Sequence, residues 1–430
     1  MSASTPSQSL ASRFTPWHWL GWVVGVAPLA FYAFSPRAKD LELYFNTASA
    51  FLAGATPNQD FRFEYPPYAL LWFVPATWLG GTLKTFITLF GLQLTLFDAA
   101  SKWLLLSEGT RRWGHSLRAW VPFGVYSVAS WVQSVHYLKR YDLIPATFTL
   151  AALVALSRRR DVLAGLALSV GIVTKLYPVV LVPLALAVCW RRGGWDSARR
   201  LVLGLGLGVL PLVPLSAFWP WWGFASFHVE RGLQVESLGA SLLWGASLLG
   251  WVPGVAWVHA PAAYELHGAA AEWVKDVSRW LWVAGSLGAA VVGLWSVRHR
   301  APERVEDLAR LALGPLIAFV VLNPVLSPQY LVWLTGGAGL ALLSGSRWPL
   351  AAIFVAAVIT RGIFAGSTYH MGIGAPHEVL LLVRNGLLLA AGLALVREAW
   401  RSGAPGKGFS SEMTGAPRSG EARQDAHVGG

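Results

Sequence analysis

The chain has 430 residues, of which 55% are hydrophobic and only 13% are charged. Since about a quarter of the residues of a soluble protein are charged, this composition excludes an ordinary soluble domain and indicates a polytopic helical membrane protein. The formal net charge of +12 comes from short basic clusters between apolar runs, a pattern typical of cytoplasmic loops rather than of nucleic-acid binding. Cys189 is the one cysteine of the chain, so no disulfide is expected.

The predicted fold is an all-α polytopic membrane protein with about 12 transmembrane helices, in a range of roughly 10 to 14. Residues 1–16 are predicted to be a cytoplasmic N-terminus, residues 17–396 the transmembrane domain, and residues 397–430 a disordered cytoplasmic tail. The apolar runs predict spans at 17–34, 84–106, 119–135, 142–157, 162–174, 176–190, 201–218, 279–297, 309–324, 329–345, 348–365 and 379–396.

Two connections between the predicted spans are long, the first outer loop at 35–83 and a second outer loop at 219–278. Long connections are uncommon and usually functional or disordered. Residues 67–80 are apolar but interrupted by proline, and they predict a juxtamembrane half-helix in the outer leaflet. Residues 238–258 are apolar enough to insert, but a full crossing would place the basic cluster at 298–310 outside, so a re-entrant or surface-lying element is expected.

The distribution of lysine and arginine predicts the orientation of the chain in the membrane. Both termini are expected in the cytoplasm, and the protein is expected in the cell (inner) membrane. The site is then expected on the outer face, where several connections gather. These connections are 35–83, 136–141, 219–278, 325–328 and 366–378.

Ionisable residues at the edge of a membrane span are functional candidates by default, and Asp40 is the first of them. Its carboxylate is suited to act as a general base that takes a proton from an acceptor hydroxyl. The alternative is a helix N-cap before the helix-compatible segment that follows, and both interpretations stay open. Glu42, Asp60 and Glu64 share the loop and compete for the role of base.

Lys175 lies in the segment TKLYP, between basic clusters at 158–160 and 191–192. About 30 residues separate the two clusters, which is too long for one untilted helical crossing and short for two full ones. A tight hairpin with Lys175 near its outer tip is therefore predicted. The ammonium group is suited to bind a phosphate as a point charge, and the alternative is a lysine that snorkels to the interface.

Two proline-containing segments are candidates for the lining of a site. EYPPY, at residues 64–68, either fixes a half-helix along a lipid-accessible groove or simply starts a helix. NPVLSPQY, at residues 323–330, breaks two helices at the outer interface and presents Gln329 and Tyr330. A tight turn is the alternative for this second segment.

Charged residues also occur in two other predicted outer connections. HVERGLQVES carries His228, Arg231 and Glu236, and an ordinary solvated loop is the alternative. The short loop before residue 143 is interpreted as plain interfacial solvation. Its ionisable residues are His136, Lys139, Arg140 and Asp142.

Two remaining groups of ionisable residues are interpreted as structural rather than catalytic or metal-binding. Asp98 and Lys102 are four residues apart in a span, so they face one another and predict a structural ion pair. His370, His377 and Glu378 form a loose outer cluster whose spacing matches no zinc site.

Five of these segments occur in the same order in the polyprenyl-phosphate-dependent glycosyltransferases of the GT-C class. They are DLELYF with Asp40, EYPPY, GIVTKLYP, RGLQVES and LSPQYLVW. Over residues 17 to 396 the chain resembles glycosyltransferase family 87, a family with mannosyltransferases.

The resemblance implies a GT-C-like membrane fold and an inverting transfer of a hexose, mannose in the usual case. The implied donor is a polyprenyl-phosphate sugar, the acceptor is a glycolipid or glycan, and Asp40 is the catalytic base. The residues expected to bind the substrates are Glu42, Tyr44, Glu64, Tyr65, Lys175, Arg231, Glu236, Gln329 and Tyr330. Some relatives carry histidines where this chain has Gln329 and Tyr330, so no histidine role is carried over. Because a phosphate is a good leaving group, no metal or other cofactor is expected.

Two other functions stay open on the residues alone. A transporter or flippase of lipid-linked sugars would carry charges deep in several spans, whereas most candidate charges here gather on one face. A polysaccharide polymerase or ligase would carry a large arginine-rich late loop, whereas residues 219–278 contain few strong bases. A pure scaffold explains the charges at the span edges poorly.

Overall fold

The computed structural model describes residues 14–35, 39–226, 231–259, 264–299, 301–344, 346–364 and 375–404. His228, His370 and most of the predicted tail lie outside these ranges, and so does most of the predicted cytoplasmic N-terminus. Within the described ranges the chain is predominantly helical, as predicted. A small antiparallel sheet in the second long loop was not predicted.

The elements are numbered here in chain order. The α-helices are α1 (Pro16–Ala33), α2 (Lys39–Leu52), α3 (Pro67–Gly80), α4 (Leu83–Trp113), α5 (Val121–Val132), α6 (Ser134–Leu138), α7 (Leu143–Ser157), α8 (Asp161–Thr174), α9 (Val182–Val209), α10 (Leu212–Leu215), α11 (Leu238–Leu248), α12 (Ala269–Val297), α13 (Val305–Val321), α14 (Val332–Ala341), α15 (Trp348–Ile363) and α16 (Ala375–Ser402). Short 3₁₀ helices occur at Leu117–Trp120, Tyr177–Leu181, Trp221–Gly223 and Pro328–Leu331. The strands are β1 (Leu233–Gln234), β2 (Ala256–His259) and β3 (Tyr264–His267), in the order β1–β3–β2.

Four helical segments of the described chain are long and apolar enough to cross a membrane. They are Leu83–Trp113, Tyr177–Leu215, Ala269–Val297 and Pro376–Ser402. Shorter apolar helices of 10–17 residues include α7, α8, α11 and α15. At about 1.5 Å per residue such helices cover only part of a hydrocarbon core of about 30 Å. The chain is therefore a helical membrane protein, and the number of about 12 crossings stays a prediction.

Local sequence sets the ends of α3, whose bounds match the predicted segment 67–80. Pro67 occupies its first turn, where the missing N–H of proline has no helical partner to lose. The helix ends at Gly81, which adopts the left-handed conformation with φ of 64° and donates its N–H to Thr77 O.

Helices α8 and α9 pack backbone against backbone through glycines. A Cβ atom added to Gly165 would lie 2.1 Å from Leu201 O, and one added to Gly204 would lie 2.1 Å from Val162 O. Small residues at such a crossing let helices in a membrane approach closely. α9 is itself broken at Gly193 and Gly194, where the backbone is not helical. The predicted loop at 191–200 is therefore two helical ends joined at a glycine pair.

The basic clusters lie together at one end of the helix bundle. Arg158 forms an ion pair with Glu108, and Arg112 Nε lies 3.0 Å from Glu306 Oε1. Arg192 Nη1 donates a hydrogen bond to Leu156 O. These clusters, predicted to be cytoplasmic, thus meet at the same end of the molecule.

The predicted outer connections meet one another at the opposite end. Lys139 Nζ donates to Ser35 O over 2.5 Å, and Asn58 Nδ2 donates to Pro220 O over 3.3 Å. Farther along the chain, Gln234 N donates to Pro324 O over 3.0 Å. The first loop, the second loop and the turn before α14 therefore form one assembly. Which end faces the cytoplasm stays a prediction.

Segment 238–258 folds as α11 followed by the start of the sheet. Ser237 caps α11 by accepting a hydrogen bond from Ala240 N. The helix has 11 residues, too few to cross a bilayer.

Two expectations about the helices have clear outcomes. Asp98 and Lys102 form the predicted ion pair, with 2.5 Å between Lys102 Nζ and Asp98 Oδ2 and both side chains fully buried. The boundary at residue 397 is wrong, because α16 continues to Ser402. Glu398 lies on this last part of the helix and pairs with Arg310.

Candidate active site

Lys175 reaches the interior of the assembly because α8 stops directly before it. Its backbone is extended, with φ of −157° and ψ of 126°, and its N–H donates to Gly171 O. Asp142 directly precedes α7 and is fully buried. Lys175 Nζ lies 2.6 Å from Asp142 Oδ1, so the ends of α7 and α8 are joined by an ion pair.

Three aromatic rings surround the ammonium group of Lys175, and we call them the Lys175 cage. Its Nζ lies 4.6 Å from the ring centroid of Tyr141, 5.3 Å from that of Trp333 and 5.6 Å from that of Tyr330. Cation–π attraction stabilises a charged amine in such surroundings. Trp333 also donates its Nε1–H to Asp142 Oδ1 over 2.8 Å. The indole therefore orients the carboxylate that neutralises the lysine.

Asp40 approaches this cage from the first turn of α2. Its side chain is 27% exposed, and it forms an ion pair with Arg140. Tyr44 follows one helical turn later and is buried. The Tyr44 ring stacks on Phe73 at 4.3 Å and lies 5.7 Å from the Tyr141 ring. Helix α2 thus brings an accessible carboxylate and a buried phenol to the same cluster.

The EYPPY segment contributes from the other side of Tyr141. Tyr65 packs edge-on against Tyr141, with ring centroids 5.1 Å apart. Glu64 is half-buried, hydrogen-bonds with the Tyr65 side chain, and acts electrostatically on Lys175. Burial raises the pKa of Tyr44, Tyr65 and Tyr141 well above the ordinary value of 10.0, so these phenols stay neutral.

The second long loop supplies further charges at the start of β1 and α11. Arg231 acts electrostatically on Tyr330 and Arg140, and Glu236 acts on Arg140. Glu236 is buried, and its carbonyl accepts a hydrogen bond from Asn385 Nδ2 over 3.2 Å. The loop is therefore anchored to α16 directly behind the site.

Some sequence-predicted residues lie elsewhere. Glu42 is exposed, two residues from Asp40 on the opposite side of α2. Gln329 is half-buried in the 3₁₀ helix beside Tyr330. Asp60 Oδ2 accepts a hydrogen bond from Thr56 N over 2.7 Å, which explains this acid as part of a local turn.

The interpretation of the loop before α7 as a solvated connection is wrong. His136, Lys139 and Asp142 are buried, because α6 and this loop pack beneath the first outer loop and beside α14 and α15. The sequence did contain a sign of this burial, because the connection is dense in ionisable residues yet too short to extend away from the helix bundle. Trp333 was also missed, although it lies one helical turn after Tyr330 and so shares its face.

Burial lowers the pKa of the basic groups of the site, and neighbouring carboxylates oppose this shift. It lowers the pKa of Lys175, and the neighbouring carboxylate of Asp142 opposes this shift. It lowers the pKa of Arg140 to about 10, and Asp142 opposes the shift there also. Arg140 is therefore cationic at neutral pH, and the Lys175 ammonium has a carboxylate in contact with it that favours its charged form. An accessible acid beside fixed cations can accept a proton while an anion is held nearby.

A second buried polar group lies behind the site, and we call it the Arg384 network. Arg384 donates hydrogen bonds to Asn385 Oδ1 and to the carbonyl of Glu236. Asn385 Nδ2 donates to Ser241 Oγ over 2.8 Å. The network holds α11 against α16. Among the described residues, no group of three or more His, Cys, Asp or Glu side chains is arranged to hold a metal ion.

Comparison with known proteins identifies a family. The model of glycosyltransferase family 87 matches residues 63–322, about three-fifths of the chain. This range contains Glu64, Tyr65, Lys175, Arg231 and Glu236 and, among the residues found in the structure, Arg140 and Asp142. Asp40 and the Gln329–Tyr330 turn lie outside it. No curated protein matches the chain. The chain belongs to glycosyltransferase family 87, and it is a membrane glycosyltransferase that acts on a sugar donor and an acceptor.

Proposed function

We propose that this glycosyltransferase moves a hexose, mannose, from a polyprenyl-phosphate donor to a glycan or glycolipid acceptor. The reaction takes place on the outer face of the cell membrane and inverts the anomeric centre. One observation carries the proposal: Asp40, a partly exposed carboxylate, lies in the same cluster as the buried cation Lys175 and the partly exposed cation Arg140. That cluster lies at the end of the bundle opposite the basic loops.

The reaction needs one proton transfer. Asp40 takes the proton of the acceptor hydroxyl as the acceptor oxygen forms a bond to the anomeric carbon. The bond between that carbon and the phosphate oxygen breaks on the opposite face, and its electron pair leaves with the lipid phosphate. Attack opposite to the leaving group accounts for inversion. One carboxylate suffices because the phosphate leaves without being protonated.

The cations of the site stabilise the charge that develops on the phosphate. Lys175 and Arg231 act as fixed positive charges, and the cage keeps the lysine in a partly dehydrated place where its field is strong. Asp142 and the Trp333 indole hold the lysine in position. The aromatic rings of Tyr44 and Tyr65 then line the side of the cluster that meets α2 and α3.

The test is sugar transfer by the purified full chain from radiolabelled polyprenyl-phosphate-mannose to a membrane extract. Wild type is expected to label a product, and Asp40→Asn is expected to lose turnover by at least about a thousand-fold while keeping its fold. Asp60→Asn is the matched control, since it removes the same charge from the same loop at a turn away from the cage. An active Asp40→Asn enzyme would contradict the assignment of the base. Absence of transfer by the wild type, with lipid flipping in liposomes, would favour a transporter instead.

A further inference from the structure

Arg140 joins the partly exposed acid of the site to the buried charges. It lies in the connection between α6 and α7, and it pairs with Asp40 across the chain. The two side chains are 35% and 27% exposed, so the pair lies at the rim of the site. The carboxylates of Asp142 and Glu236 interact electrostatically with the guanidinium from the interior of the site. Arg140 therefore has acidic neighbours on both sides.

The pairing with Arg140 makes Asp40 a poorer base. A carboxylate beside a guanidinium is stabilised in its charged form and has a reduced affinity for protons. A base held in this way accepts the proton of a hydroxyl poorly. A guanidinium also binds phosphate with two parallel hydrogen bonds, at least as well as it binds a carboxylate. The same side chain thus suits two anions that the reaction brings together.

We propose that Arg140 serves these two anions in turn. It pairs with Asp40 until the phosphate of the lipid donor takes its place, and Asp40 is then released to act as the base. This coupling rests on the proposed function. It ties the release of the base to the arrival of the donor phosphate, so that the guanidinium of Arg140 has an anionic partner both before and after the donor binds.

The coupling predicts an affinity change that a merely structural ion pair would not produce. Removing the charge of Asp40 frees Arg140, so Asp40→Asn is expected to bind a lipid phosphate more tightly, by about five-fold. Arg140→Gln is expected to weaken the same binding by about ten-fold or more. In the Arg140→Gln background, Asp40→Asn is expected to change the affinity by less than about two-fold, because the competition has been removed.

The experiment is a double-mutant cycle on the purified full chain. The Kd for farnesyl phosphate is measured by tryptophan fluorescence, with farnesol and inorganic phosphate as probes of the tail and the charge alone. Asp60→Asn is the control for Asp40→Asn, since it removes the same charge from the first outer loop at a turn away from the cage. Arg62→Gln, at an exposed position of the first outer loop, is the control for Arg140→Gln. Thermal unfolding checks the fold of each variant, and Arg140→Lys replaces Arg140→Gln if the latter does not fold.

The outcomes separate the two proposals. Equal tightening by Asp40→Asn with and without Arg140 would show direct repulsion between Asp40 and the phosphate, and would overturn the coupling. An unchanged Kd in Arg140→Gln, or no farnesyl phosphate binding by an enzyme that transfers sugar, would also overturn it while leaving the glycosyltransferase intact. Failure of the wild type to transfer sugar at all would instead overturn the proposed function.

Discussion

Lys175 and Asp142 lie 33 positions apart in sequence, yet Lys175 Nζ and Asp142 Oδ1 are 2.6 Å apart at the same end of the α7–α8 hairpin. Asp142 is fully buried and Lys175 is largely so. Buried charges of opposite sign depend on one another, because each alone would leave an uncompensated charge in a medium of low dielectric constant.

Replacement of Lys175 by methionine should therefore destabilise the fold strongly. The remaining Asp142 carboxylate keeps its burial but loses its counter-charge, which costs about 3–5 kcal/mol. Lys175→Met combined with Asp142→Asn should recover part of this loss. Denaturant unfolding in detergent, followed by tryptophan fluorescence, measures both variants. Lys84→Met, at an exposed lysine, should change stability by less than about 0.5 kcal/mol. A Lys175→Met variant as stable as this control would contradict the buried pair.

Trp333→Phe should separate the hydrogen bond of the indole from its stacking. The variant keeps an aromatic ring against Tyr177, whose centroid lies 4.1 Å away, but removes the donor to the charged Asp142 oxygen. A hydrogen bond to a charged group is worth about 1.5–3 kcal/mol, and transfer should fall as Lys175 loses its orientation. Trp131→Phe is the matched control, since its Nε1 donates to the neutral carbonyl of Gly25. Equal effects of the two substitutions on unfolding would argue against a charged acceptor.

Adding one methyl group at the α8–α9 crossing should destabilise the protein. Gly165→Ala or Gly204→Ala places a Cβ 2.1 Å from a backbone oxygen of the facing helix, so the helices must separate, at a cost of about 1–3 kcal/mol or more. Gly206→Ala is the control, because nothing lies within 4 Å of its added Cβ. Alanine there should be neutral or slightly stabilising. The test is to compare the apparent Tm values of the three variants in one detergent. Equal shifts in Tm would rule out close packing at the crossing.

His136 should make the fold sensitive to acid. Burial lowers its pKa to about 4, below the ordinary value of 6.5, so at pH 5 the unfolded chain binds a proton that the folded chain does not. Stability is then complete above about pH 6.5 and is lost as the pH falls toward 4, by up to about 3 kcal/mol. His136→Phe keeps a ring against Phe364 and should flatten this part of the pH profile of unfolding. His115→Phe, which removes an exposed imidazole, controls for the loss of a histidine. An unchanged profile in His136→Phe would contradict a buried neutral ring.

Parts of the fold and site were predictable because local rules govern them. The proline at the start of α3 and the glycine after it mark its ends through backbone geometry alone. Asp98 and Lys102 meet because four residues make about one helical turn. Lys175 could be placed near a hairpin tip from the spacing of the basic clusters on either side of it.

The centre of the site was not predictable in the same way. Asp142 and Trp333 are separated by 191 positions, and no local pattern relates them. The burial of His136 and Lys139 depends on the first outer loop, which packs over them from the far side of the sequence. A loop that carries charges is ordinarily solvated, so its composition alone indicated the wrong environment.

The sequence by itself determined the class of the protein, the helical character of its spans and the family motifs, since each depends on composition or on neighbours along one helix. The tertiary structure decided which charges share a cluster and which acid of the first loop faces it. On α2 this choice follows from helix rotation: Asp40 and Tyr44 are one turn apart and face the cage, whereas Glu42 points to the exposed side. Which face of α2 lies inside is decided by its packing against α3, a tertiary contact that the local pattern of either helix does not specify.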